Sequence, residues 1–453
     1  MTLSDTQQLI QENGIEFIRF EQTDTHGISR SKTIPQAHFE PFATKGLNFL
    51  MGQLGFDVQA GVAPGTGYLE EIGFPDSRLF PDFDTFRVLP WANATARVIC
   101  EAYFYDGRPA MAHPRVVVRK LLDELAEMGY PLRSGFEYEF YLVDRESEEP
   151  PFPGIQIFAT LRNNFDEDLV YQILRGMSAV GVDIITANAE YGPGQMEINF
   201  APADGVAGAD NAFTFKNGVK EIAQRNGYMA TFMTKPYIDQ SASGCHYHQS
   251  LFHLDSGQNA FDDPDGPDGL SDVCRHFLAG QLAHAPAMSA LAAPTVNCYK
   301  RYKLYSFAPT NATWGHENRT VGIRVKGTRG KSTHIENRTP GAASNPYLVM
   351  AACLAAGMDG IRRKLEPPAP VDVMAYGMEN VVDLPQNLDA ALEALEADQA
   401  MTQALGNEFV KLFLAVKRHE IGKARAACGD DFGTPAFNER VDPWEVAEYF
   451  EFL

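Results

Sequence analysis

Cysteine is scarce in this chain. The 453 residues contain six, Cys100, Cys245, Cys274, Cys298, Cys353 and Cys428, and no two stand as C-x-x-C. Scattered thiols argue against a disulfide framework and against a thiolate zinc site, and point to a reduced, cytoplasmic protein. Long apolar runs are also missing. The longest, Tyr347 to Met358, is too short to cross a bilayer and reads as a buried helix. The polar N-terminus, Met1 to Glu12, reads as a helix start and not as a signal peptide. Positive charge is in deficit: 38 Lys and Arg against 59 Asp and Glu leave a net charge of −21. A nucleic-acid partner needs the opposite balance, and a surplus of carboxylates chiefly favours solubility. No Walker A sequence, kinase-type glycine loop or H-E-x-x-H occurs, so any nucleotide or metal is held by other means.

What is present reads as α+β. Ile15 to Pro35 has a hairpin pattern around Asp24, Thr25, His26 and Gly27, and a strand over Arg97 to Tyr105 ends at Asp106-Gly107. These bound a small β-rich first domain over residues 1–106. The composition then changes. A helix over Pro114 to Met128 opens on proline and stops at Gly129. Strands are predicted over Gly135–Val143, Gln195–Phe200, His246–Phe252 and Val321–Val325. Helices are predicted over Glu167–Val180, Asp210–Arg225 and Asp272–Leu291, with a helical run from Leu388 to Lys423. The second domain, 107–453, is expected to be an antiparallel sheet with helices on one side.

Ionisable residues recur at i and i+2 on those strands, where alternate side chains share a face about 6.7 Å apart. Glu137 and Glu139 form one pair, His246 and His248 another, Glu336 and Arg338 a third. Glu190 and Glu197 are joined by a Gly192-Pro193-Gly194 turn able to fold one back on the other. A single pair is more often a solvated strand face. Several interrupting apolar strands are different, because an unpaired buried carboxylate is unfavourable. Five glutamates and one imidazole suit Mg²⁺ or Mn²⁺ better than zinc. With Arg301, Arg319, Arg324 and Arg338 nearby in sequence, the set suits phosphoryl transfer, in which cations neutralise the moving phosphate.

These residues resemble the signatures of the glutamine synthetase family over nearly the whole chain. Lys235-Pro236 leading to Ser243-Gly244-Cys245-His246-Tyr247-His248-Gln249-Ser250-Leu251 resembles its K-P…G-S-G-x-H-x-H-x-S-L run. Pro193-Gly194-Gln195-Met196-Glu197 resembles P-G-Q-x-E, and Asn297 to Arg301 resembles N-S-Y-K-R. Asn318-Arg319-Thr320 with Arg324 resembles N-R-S/T-x-x-x-R, and Asn345-Pro346-Tyr347-Leu348 resembles the A-N-P-Y-L helix start. The resemblance implies a β-grasp-like first domain and a catalytic domain whose antiparallel sheet is lined by metal ligands and flanked by helices. It implies that Glu139, Glu190 and Glu197 hold one metal, and Glu137, His246 and Glu336 a second, with two or three Mg²⁺ or Mn²⁺ ions per site. Arg301 and Arg338 would bind glutamate beside Gly244. His248 would lie near the transferred phosphate, with Ser250, Arg319 and Arg324 on ATP. Arg319 and Arg338 would also act in catalysis. It further implies a homo-oligomer, in this family a dodecamer or decamer, with sites between subunits and Asp57 of the neighbour facing the amine.

Three departures stand out. Family members that use ammonia carry a glutamate in a G-Y-E-A-P flap, and here Tyr305-Ser306-Phe307-Ala308-Pro309 puts Phe307 in its place. An aromatic ring accepts no proton but packs on an alkyl group and attracts a cation through its face. The F-D-G-S-S and N-G-S-G segments are also altered, as Phe56-Asp57-Val58-Gln59-Ala60 and Ser241-Ala242-Ser243-Gly244. The expected reaction is therefore ATP-dependent ligation of a small alkylamine, methylamine first, to the γ-carboxylate of glutamate. Ordinary glutamine synthesis from ammonia is the alternative, and a non-catalytic structural or regulatory relative is the alternative of another class. Lastly, the loop around Val381 to Gln386 carries no tyrosine, so adenylylation there is not expected.

Overall fold

The computed structural model describes residues 1–152, 154, 157–163, 166–327 and 329–453. An N-terminal helix, Leu3–Glu12, opens on a capping box made by Thr2 and Asp5. Strands β1 (Phe17–Thr23) and β2 (Ser29–Pro35) then form the expected hairpin. The Asp24 carboxylate accepts from the backbone N–H of His26 and Ile28 at 2.8 and 3.0 Å, and Gly27 takes a φ of +85° that permits the tight reversal. β3 (Leu47–Leu50), β4 (Asp76–Pro81), β5 (Arg87–Val88) and β6 (Thr95–Tyr103) complete a mixed sheet. Its order is β2-β1-β6-β4-β3, with β5 also on β6 and with β1 and β6 running parallel.

The second sheet carries the chemistry. It is built from β7 (Leu132–Asp144), β8 (Ile184–Ala189), β9 (Gln195–Phe200), β10 (Ala203–Asp204), β11 (Tyr228–Thr231), β12 (Cys245–Leu251), β13 (Trp314–His316), β14 (Ile323–Lys326) and β15 (His334–Asn337). The order is β13-β14-β15-β12-β7-β9-β8, with β10 and β11 also paired to β7. The sheet is antiparallel apart from the β13–β14 edge pair. β7 explains how one sheet has two characters. Phe136, Tyr138 and Phe140 are fully buried and pack with Tyr247, Phe215 and Phe232. Glu137 and Glu139, one residue out of phase, point to the opposite face. Burying each such aromatic is worth about 1.5–3 kcal/mol. A slip of one residue would bury both carboxylates among the rings, so the register is firmly set.

Helix Ala207–Arg225 packs on β7 and β11 of this sheet, Pro346–Arg363 packs on that helix and on Pro114–Glu127, and Pro346–Arg363 is buried along nearly its whole length. No helix among the described residues is long and apolar enough to cross a membrane. Two expected helices are subdivided. The Asp272–Leu291 segment is two helices, Asp272–Ala283 and Ala285–Ala292. Pro286 cannot donate a backbone N–H, and the break falls at His284 (φ −98°, ψ 7°). The Leu388–Lys423 run is three helices, Leu388–Ala397, Gln399–Leu405 and Asn407–Cys428, separated at Asp398 and at Gly406, whose φ is +94°.

Candidate active site

Sheet register assembles the site. Across the strands, Glu197 on β9 lies opposite Glu139 on β7, His246 on β12 lies opposite Glu137, Glu336 on β15 lies opposite His248, and Arg324 on β14 lies opposite Glu336. Residues more than 180 apart in the chain thus gather on one sheet face in three neighbouring cross-strand rows. His246 Nδ1 lies 2.9 Å from Glu137 Oε1 and 3.5 Å from Glu336 Oε1. One donor atom from each of the three lies within 4.8 Å of the others. Glu139 accepts from the Gly244 N–H at 2.9 Å and from Gln195 Nε2 at 3.2 Å. The 190–195 segment folds back as expected: the Glu190 N–H bonds the Gln195 carbonyl at 2.9 Å, with Gly194 at φ +75°. Glu190 and Glu197 accept from Asn188 and Asn199 at 3.2 and 3.1 Å.

The carboxyls divide electrostatically. Burial, reinforced by Glu137, Glu139 and Glu190, pushes Glu197 up to about 9. Burial and the Glu139 charge push Glu190 up to about 8. Burial also opposes ionisation of Glu336, but Arg338, His248 and His246 outweigh it and hold that carboxyl at about 2. Glu137 lies well below its usual range because hydrogen bonds from His246 and His248 overcome its burial. Burial and Arg338 lower His246, which favours the neutral imidazole that ligates metals. Carboxylates this crowded repel one another unless a cation joins them. The oxygen-rich donor set with one neutral imidazole fits a hard divalent cation such as Mg²⁺ or Mn²⁺.

Two hollows meet at Glu137, which lines both. The first, about 900 Å³, holds Glu137, Glu139, Glu190, Glu197 and His246 with Arg301, Arg319 and Arg338. Arg301 is held by the Thr339 and Arg338 carbonyls at 2.8 and 3.0 Å, and Arg338 donates to Glu336 at 2.5 Å and to the Phe307 carbonyl at 3.3 Å. A Cβ at Gly244 would stand 3.1 Å from an Arg301 nitrogen and 3.2 Å from His246 Nε2, so the absent side chain keeps this floor open. Phe307 sits at φ +57°, half exposed, with its ring stacked on Tyr191 at 6.2 Å and 20°. The second hollow, about 990 Å³ and mostly apolar, is walled by Glu137, His248, Ser250, Phe252 and Phe200, with Lys331 and His334. Ser250 Oγ donates to the Thr333 carbonyl at 3.0 Å.

Not every expected residue gathers here. Arg319 borders the carboxylate hollow and not the apolar one. Arg324 lines neither and is committed to ion pairs with Glu317 at 2.5 Å and Glu336 at 3.3 Å. Asp57 borders neither hollow of its own chain. It is buried, bonded to Lys423 at 2.7 Å and to the Gly61 N–H at 2.6 Å, and these partners hold its carboxyl below the usual range against the effect of burial. Conversely, Tyr191, Lys331 and His334 were given no role from the sequence, nor was Gln195, although it stands in the P-G-Q-x-E segment. The rule that singled out Glu137 and Glu139, alternate residues on one strand face, also applies to His334 and Glu336. Tyr191 directly follows a predicted ligand.

Comparison with known proteins identifies a family. Residues 111–432 match the family model described as glutamine synthetase, catalytic domain. Human lengsin is 37% identical over 439 residues, covering 91% of this chain and 82% of lengsin. A glutamate–isopropylamine ligase from a Pseudomonas species is 34% identical over 460 residues, covering 98% of this chain and 97% of the ligase. The solved structure of a GmaS/ADP complex superposes with a TM-score of 0.85 at 29% identity, covering 98% of this chain and 99% of that one. The chain belongs to the glutamine synthetase family.

Proposed function

We propose that this protein is an ATP-dependent glutamate–amine ligase whose preferred amine is a small alkylamine, methylamine first. The observation that carries the reading is the Phe307–Tyr191 ring pair at the carboxylate hollow. Where ammonia-using relatives place a glutamate, this hollow presents aromatic faces that fit a short alkyl group and attract its ammonium head. The similarity to a protein named glutamate–isopropylamine ligase supports the same reading.

In this account ATP occupies the apolar hollow and L-glutamate the carboxylate hollow, with the γ-phosphate and γ-carboxylate meeting near Glu137. Arg301 and Arg338 bind glutamate's carboxylates, and backbone carbonyls hold Arg301 in place beforehand. Glu139, Glu190 and Glu197 would hold one divalent cation, and Glu137, His246 and Glu336 another. When bound, such ions neutralise charge on the phosphates and on the nucleophile. A γ-carboxylate oxygen attacks the γ-phosphorus and ADP leaves, giving γ-glutamyl phosphate. The amine, having given up a proton, attacks the acyl carbon. Phosphate leaves with the bridging oxygen and the amide forms. A homo-oligomer of the dodecameric type, with Asp57 of a neighbouring copy facing the amine, completes the proposal, as does a division into domains at 106/107.

Glutamate labelled with ¹⁸O in its γ-carboxylate tests the chemistry. With ATP, Mg²⁺ and methylamine, the released phosphate should carry one ¹⁸O and the organic product should be the γ-methylamide by mass spectrometry. Unlabelled phosphate, or ADP release indifferent to glutamate and amine, contradicts the proposal and favours a non-catalytic relative.

A further inference from the structure

A second histidine stands behind His248. His248 Nδ1 lies 3.2 Å from His334 Nε2, and His334 Nδ1 lies 2.6 Å from the Ser332 carbonyl oxygen. The rings are 5.3 Å apart at 52°, and both line the apolar hollow. On its other side, His248 Nε2 lies 3.4 Å from Glu137 Oε2, at the junction of the two hollows. These contacts run in a single line from a backbone carbonyl to the junction.

The line has a direction. A carbonyl only accepts, so His334 Nδ1 carries the hydrogen it donates to Ser332. A neutral His334 then offers Nε2 solely as an acceptor. His248 Nδ1 must carry a hydrogen to fill that acceptor, and the ring is thereby turned so that Nε2 faces Glu137 at the junction. Strand geometry makes this stable. β15 pairs with β12 across His248 and Glu336, so His334, two residues before Glu336, returns to the same face beside His248.

We propose that His334 is a positioning residue that accepts from His248 Nδ1 and fixes the ring orientation of His248, so that Nε2 is presented where phosphate is transferred. Outer partners of this kind orient the groups that touch the reaction, and losing one costs about 10–100-fold in affinity or activity. The proposal rests on the ligase reading for its kinetic consequence, but not for its structural one.

Two substitutions and one spectroscopic measurement test it, all on the full-length protein. His334→Gln retains a side-chain oxygen able to accept from His248 Nδ1, whereas His334→Phe preserves a ring and removes the acceptor. In His334→Phe, kcat should fall about tenfold or more, with KM for ATP within about twofold and the melting temperature unchanged. His334→Gln should keep kcat within about threefold of the parent. In protein labelled with ¹⁵N-histidine, solid-state NMR should assign a protonated, hydrogen-bonded Nδ1 to the signal that disappears in His248→Gln. That signature should be lost or mixed in His334→Phe. Equal kcat in the Phe variant and the parent, or equal damage from Gln and Phe, overturns the positioning role. An unprotonated Nδ1 at His248 in the parent overturns the direction of the line. If no amine is ligated by any form, the ligase reading fails, and the NMR comparison still decides whether His334 holds the His248 Nδ1–H.

Discussion

In the proposed ligase, Phe307 is the residue on which the choice of amine turns. Its ring is half exposed and its neighbours are Tyr191 and, through its carbonyl, Arg338. Phe307→Glu restores a proton acceptor at little structural cost. It should shift the methylamine-to-ammonium ratio of kcat/KM toward ammonium by about tenfold or more, as steady-state ADP release would read. An unchanged ratio removes Phe307 from the amine pocket. Glu137 is the other decisive residue, because it lines both hollows and binds both histidines. Glu137→Ala should abolish ligation and weaken Mn²⁺ binding in calorimetry. ATP turnover that survives undiminished contradicts the metal assignment. At this scale the motifs were informative because spacing of two on a strand fixes a shared face, as Glu137 and Glu139 illustrate. They assigned Arg324 to ATP without its ion pairs to Glu317 and Glu336, and were silent on the Tyr191–Phe307 stack, which joins segments more than a hundred residues apart.

Among the elements, the β7–β9 pair sets the pH behaviour. Glu190 and Glu197 ionise at about 8 and about 9 in the folded protein against 4.5 ordinarily. The folded state therefore binds more protons than the unfolded one between those limits, and metal-free stability falls as pH rises from 4.5 toward 9. A cation needs these carboxylates ionised, so it displaces protons and binds more tightly as pH rises. The increase in melting temperature given by Mn²⁺ should be larger at about pH 8.5 than at about pH 6. A gain that shrinks with rising pH would contradict the carboxylate site.

The break between Asp272–Ala283 and Ala285–Ala292 has its own signature. His284 bonds Asp398 at 2.6 Å and Asp359 at 2.8 Å, and these carboxylates raise its pKa against the opposing effect of burial. A raised histidine contributes stability that is full below about 6.5 and lost as pH climbs through the folded value. The stability gap between the parent and His284→Asn should therefore narrow as pH rises from about 6 to about 9, measured by urea unfolding. A constant gap means the histidine is not charged in the fold. Helix periodicity alone ran through this break, because Ala and Leu continue on both sides of it and only Pro286 interrupts them. The hairpin at Asp24–Gly27 and the alternation of β7 were legible, since local turn chemistry and a period of two determine both.

For the whole molecule, the central feature is two hollows, one acidic and one apolar, sharing a wall at Glu137. In the proposed ligase an acceptor carboxylate and a nucleotide face each other across that wall, and the aromatic pair selects the nucleophile. α+β architecture was readable from the chain because turn residues, strand alternation and helix caps act locally. The sheet order β13-β14-β15-β12-β7-β9-β8 was not, because long-range pairing leaves no local signal. The account is tested most directly by kcat/KM for ADP release with glutamate, ATP and Mg²⁺ across ammonium, methylamine, ethylamine, ethanolamine and putrescine. It predicts that methylamine or ethylamine exceeds ammonium by about tenfold or more, equivalent to about 1.4 kcal/mol in transition-state binding. A preference for ammonium would contradict it, and would make this protein a glutamine synthetase that works without the flap glutamate.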